Sequence, residues 1–95
     1  MSVIDRLQKW FVDQCNGDWE HNSGISISTL DNPGWSIKIH LLGTAVEDVP
    51  FSRLEAERTE KDFIHAWRTS EDFNVACGPN NLEEALRLFC DWANA

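Results

Sequence analysis

Tyrosine is absent from this chain, methionine occurs once, and basic residues are scarce: 8 Lys and Arg stand against 16 Asp and Glu in 95 residues. The resulting net charge of −8 excludes a positive footprint for phosphates, and with it nucleic-acid binding and docking on anionic membranes. There is no CxxC pair, since Cys15, Cys77 and Cys90 lie far apart. There is no apolar run of membrane-spanning length, and Asp5, Arg6 and Lys9 interrupt the start where a signal peptide would be apolar. These features point to a cytoplasmic protein with reduced thiols, each cysteine serving as a small buried hydrophobe. Walker, GxSxG, HExxH and HxxxH motifs are also missing, so neither a nucleotide loop, a nucleophile elbow nor a zinc spacing is present.

What the chain does have is an aromatic set of five Trp and five Phe and a hydrophobic fraction of 42%. That is enough apolar material for one modest core, and the length suits a single domain over residues 1–95. The acidic excess is spread along the chain without an acidic tail. Such a distribution keeps a protein soluble and speeds encounter with a basic partner.

Residues 2–15 read as a helix. Ser2 is placed to cap it with Asp5 three residues on, and Ile4, Leu7 and Phe11 fall on one face. Asn16-Gly17 should end it. A polar loop, residues 16–24, surrounds Trp19. Ile25, Ile27 and Thr29 then alternate with serines, and Trp35, Ile37, Ile39 and Leu41 alternate with Ser36, Lys38 and His40, the period of half-buried strands. Between them Asp31-Asn32-Pro33-Gly34 carries the chemistry of a type II turn, with Pro at its first corner and Gly supplying positive φ at the second. Residues 51–61 favour helix by propensity, yet their apolar residues are too sparse for a helical face, and an exposed strand is the better reading. Phe63, His65 and Trp67 alternate along a further strand, and Phe73, Val75 and Cys77 along another. Gly78-Pro79-Asn80 breaks the sheet. Asn81 and Glu84 form a capping box for a last helix whose stripe is Leu82, Ala85, Leu86, Phe89 and Ala93. The expected fold is α+β: an antiparallel four- to five-stranded sheet flanked by an N-terminal and a C-terminal helix on one face.

The densest polar cluster is Asp18-Trp19-Glu20-His21, with Asp31 brought near by the hairpin. A carboxylate beside a histidine can move protons or hold a metal, but the spacing matches no ligand pattern, and a surface role fits better. No catalytic residue, metal site or cofactor is assigned. Cys15 at a helix C-terminus is poorly placed to become a thiolate. His65 reads as a hydrogen-bonded residue of the sheet. Trp19, Trp35 and Trp67 form the more informative group. Each alone fits core packing, yet Trp is the residue most enriched at interface hot spots. The partner-binding surface is therefore expected to include Asp18, Trp19, Glu20, His21, Asp31 and Trp35.

Several segments together resemble a known family. Trp10-Phe11, the run Gln14-Cys15-Asn16-Gly17-Asp18-Trp19-Glu20-His21, the run Thr29-Leu30-Asp31-Asn32-Pro33-Gly34-Trp35, Asp62-Phe63-Ile64, Gly78-Pro79-Asn80-Asn81-Leu82 and Phe89-Cys90-Asp91-Trp92 are similar to the immunity protein 53 family over nearly the whole chain. Phe63 departs from the Trp usual at that place. The resemblance implies a role in bacterial polymorphic toxin systems: a small protein that binds a cognate toxin domain and blocks its active site, with no enzyme activity of its own. A basic toxin would suit the acidic chain. Two other readings are a small metal-dependent hydrolase built on Asp18, Glu20 and His21, and a regulatory or ligand-binding module.

Overall fold

A computed structural model describes residues 2–94. The order is α1 (Val3–Gln14), α2 (Trp19–Asn22), β1 (Ile25–Leu30), β2 (Gly34–His40), β3 (Leu54–Glu57), β4 (Phe63–Arg68), β5 (Asp72–Cys77) and α3 (Leu82–Ala93). The strands form one antiparallel sheet in the order β1-β2-β5-β4-β3. The α+β arrangement read from the sequence is the one observed, with five strands, and residues 54–57 are indeed strand.

Ser2 caps α1 as expected, its hydroxyl accepting from the Asp5 amide at 3.1 Å. The expected box at α3 does not form. Asn81 donates its side-chain amide to Asp62 Oδ1 at 2.9 Å and to Glu84 Oε1 at 3.2 Å, and makes no side-chain cap. The two charge-assisted bonds to Nδ2 hold the side chain in this orientation, and among the described residues nothing donates to its buried Oδ1, the atom that would cap the helix. Asn81 thereby ties the turn before β4 to the start of α3.

The inner strands alternate between a buried and a more open face. Ile37 and Ile39 of β2, Phe73, Val75 and Cys77 of β5, and Ile64 and Ala66 of β4 are buried beneath α1 and α3, together with Trp10, Trp19, Ala85, Leu86, Phe89 and Cys90. The rings interlock edge to face: Trp10 on Phe89 at 4.8 Å, Trp10 on Trp19 at 5.7 Å, Phe89 on Phe73 at 5.1 Å and Phe51 on Phe73 at 4.8 Å. Trp92 stacks on Phe73 at 5.1 Å and donates its indole N–H to the Pro50 carbonyl. Edge-to-face pairs add about 0.5–1.5 kcal/mol each to the burial they accompany.

Gly34 departs from the turn chemistry expected of it. Positive φ occurs at Gly17, Gly24 and Gly43, not at Gly34, so the hairpin is not closed by a type II turn with Gly at its second corner. Leu30 pairs with Gly34 across a three-residue loop, Asp31 to Pro33. The reason for glycine is contact: a Cβ at Gly34 would stand 2.4 Å from the Cys77 carbonyl oxygen. The long connection from β2 to β3 is held chiefly by Arg68, with Gln14 accepting from the Ala45 amide at 2.9 Å. Arg68 donates to the carbonyls of Val46, Glu47 and Val49, and its guanidinium lies 6.0 Å from the Trp92 ring centroid.

Two substitutions check this account. Trp19→Ala should lower unfolding free energy by about 3–5 kcal/mol in urea titration, the cost of emptying a core aromatic site. Gly34→Ala should cost about 1–3 kcal/mol by forcing β2 from β5, whereas a glycine needed only for turn flexibility would leave the hairpin register intact on substitution.

Candidate functional site

The loop before β1 is built by its own side chains. Asn16 Oδ1 accepts from the Asp18 and Trp19 amides at 3.0 Å each. The Glu20 carboxylate folds back onto the Asn16 and Gly17 amides at 2.9 and 2.8 Å. Its own backbone N–H, with those of Asn16 and Gly17, holds this carboxyl below the usual range. Glu20 is thus engaged in shaping the loop. Trp19 is 4% exposed, packs on Trp10 and Phe11, and donates its indole N–H to the His40 carbonyl at 3.0 Å. It offers a partner almost no area. Asp18 and His21 are exposed.

Asp31 is exposed at the hairpin tip, and Trp35 beside it is half-buried on the helix side, bonded to the Pro79 carbonyl at 3.0 Å. The tip lies at the other end of β1 from α2, about 20 Å away for six extended residues. The structure therefore does not bring Asp31 and Trp35 together with Asp18, Trp19, Glu20 and His21.

Between these two ends lies the sheet face that no helix covers. Cross-strand register sets Ser26, Lys38, Asn74 and Trp67 in one row and Ser28, Ser36, Ala76, His65 and Glu55 in the next. Phe63 and Glu57 pair beyond them. The polar side chains are paired locally: Arg53 with Glu55 at 2.7 Å, His65 with Glu57 at 2.8 Å, and His40 and Lys38 with Asp72 at 3.1 and 3.8 Å. Arg53 also lies over the Trp67 ring, 5.3 Å from its centroid. A shallow groove of about 660 Å³ continues from Phe63, His65 and Glu57 to Asn32 at the hairpin tip. A smaller one joins Lys38, His40 and Asp72 to Asn22, Ser23 and Gly24. The face thus runs from the segment after His21 to the segment after Asp31.

Trp67 had a signal in the sequence, as one of three candidate anchors. Its two companions in the strand, Phe63 and His65, did not stand out as a surface. In β4 the aromatic set and the pair Ile64 and Ala66 compete for the core, and only pairing with Val75 and Cys77 shows that the smaller residues win.

Among the described residues no three His, Cys, Asp or Glu side chains converge as a metal site. Burial pushes the Cys77 and Cys90 thiols up, and desolvation followed by the nearby Glu20 charge does the same to Cys15, whose Sγ donates to the Phe11 carbonyl. Among the described residues no helix is long and apolar enough to cross a membrane.

Fold and site define a small α+β protein with helices on one sheet face and an open, aromatic-studded face on the other. The chain belongs to the immunity protein 53 family, whose model matches residues 4–94. No curated protein and no solved structure matches it. The family name identifies an immunity protein, whose partner is a toxin.

One charged network outside this face has a defined pH response. Arg58 bonds Asp62 at 2.8 Å and Glu84 at 2.7 Å. Hydrogen bonding to Arg58, then to Asn81, lowers the carboxyl pKa of both Asp62 and Glu84. Lowered folded-state values mean stability that is present above the unfolded carboxylate values, near pH 4, and lost as pH falls through the folded ones. Melting curves of the native chain and Arg58→Gln should therefore differ at pH 7 and converge below about pH 3. A gap that stays constant across that range would remove the network from acid unfolding.

Proposed function

We propose that this chain neutralises its toxin by laying the uncovered sheet face over the toxin's active site, with Trp67 as the central anchor. The observation that carries the reading is the placement of Trp67, Phe63 and His65 side by side on a face that no helix packs against. Large rings held half-buried by strand neighbours lose little side-chain freedom on binding, and such residues concentrate the energy of interfaces. The paired polar and charged side chains around them form a polar rim. Asp18, His21 and Asp31, exposed at the two ends of this face, are its outer contacts in this reading. Glu20 supports the loop, and Trp19 and Trp35 act through the fold. The net charge of −8 speeds encounter with a basic toxin, a cytoplasmic one in this proposal. Occlusion requires binding alone, without turnover.

The test is calorimetric titration and stopped-flow association against the cognate toxin domain. Trp67→Ala should weaken binding by at least about 2 kcal/mol, roughly thirtyfold, with the melting temperature little changed. Reversing Asp18 and Asp31 to Lys should slow association and reduce its salt dependence without unfolding the protein. Full affinity and on-rate in both variants would place the toxin elsewhere.

A further inference from the structure

The two edges of the sheet are built differently. β3 is guarded by charge: Arg53, Glu55 and Glu57 stand along it. β1 and its approach, residues 22 to 30, read Asn-Ser-Gly-Ile-Ser-Ile-Ser-Thr-Leu and contain no charged residue in a chain of net charge −8. There is no proline or bulge in β1, and its six residues pair with β2 in unbroken register. Edges of soluble proteins are normally blunted by charge, proline or a bulge.

The direction of the free backbone groups is fixed by one bond. The His40 amide donates to the Gly24 carbonyl at 3.0 Å, so the even residues of β1 exchange bonds with β2. The N–H and C=O groups of Ile25, Ile27 and Thr29 consequently face away from the sheet. Ile27 is 42% exposed on the helix side of this edge.

We propose that β1 pairs with β1 of a second copy of this chain, antiparallel about a two-fold axis at Ile27, so that the two sheets continue as one. The sequence of the strand is itself near-symmetric about that point: Ile25 and Thr29 are β-branched, Ser26 and Ser28 flank the centre. The operation sets Ile27 against Ile27, Ile25 against Thr29 and Ser26 against Ser28. Three narrow pairs would exchange about six backbone hydrogen bonds. Charge selects this edge over others. The same operation on β3 would place Glu55 against its own copy, whereas on β1 no like charges meet, and Asp31 falls opposite Ser23. A continuous sheet keeps both helix layers on one side, so the two open faces become one surface, whether or not a toxin occupies it.

One strand buries less than the roughly 800 Å² per partner of a stable complex, so the association is weak and visible at high concentration. Sedimentation of the full chain from about 10 μM to 1 mM should show reversible dimer formation. Ile27→Lys puts two ammonium groups face to face and should weaken the dimer at least tenfold, with an unchanged circular dichroism spectrum, while Ile27→Val should retain it. A chain that sediments as a monomer throughout, or a dimer untouched by Ile27→Lys, overturns the proposal. So does a monomeric chain whose Ile27→Lys variant loses toxin binding, since the edge would then belong to the toxin.

Discussion

Everything in this fold hangs on a chain of aromatic rings that locks two helices to one side of a sheet. Trp19, Trp10, Phe89, Phe73 and Phe51 meet in succession, and Trp92 closes over Phe73. A chain of 95 residues has little area to bury, and large rings fill it efficiently. The indole groups also fix loops: Trp19 bonds the end of β2, Trp35 the segment before α3, and Trp92 the connection into β3. With phenolic hydroxyls absent, the indole N–H is the main polar handle within this cluster. Because the rings gather on one face, the other face is left without a covering layer.

That asymmetry organises the surface. The core side is made by Ile37, Ile39, Val75, Cys77, Ile64 and Ala66, while the open side carries serines, Asn74, paired charges and the rings of Phe63, His65 and Trp67. The ion pairs here are exposed and contribute little to stability one by one. Their consequence is a face whose charged strand residues are each engaged by a neighbouring side chain, flanked by acidic ends. Such a face can be desolvated by a partner at lower cost than a field of free carboxylates.

The two long helices, the hairpin and the α+β class were legible because amphipathic period, Ser2 capping and strand alternation all act over a few residues, whereas the single turn α2 (Trp19–Asn22) lies in the segment read as loop. Where the outcome rests on distant contacts, sequence reasoning failed. Gly34 looked like a turn residue because Pro33 precedes it, but its requirement comes from the carbonyl of Cys77, more than forty residues later in the chain. Asn81 looked like a cap, but Asp62 claims its amide. The long connection after β2 has no local pattern, since Arg68 supplies its order from β4. Among the expected site residues, Asp18, His21 and Asp31 are at the surface, whereas Trp19 lies in the core and Glu20 bonds its own loop. A lone Trp among polar residues gives no local sign of which way it turns.

The central claim is that the toxin covers the open sheet face. Backbone amide shifts of the labelled protein, followed as the toxin domain is added, test it most directly. The account expects changes concentrated at Ser36, Lys38, Phe63, His65, Trp67 and Asn74, with the outward residues of α1 and α3 undisturbed. Shifts confined to the outer surface of the helices, with these six positions unmoved, would contradict it.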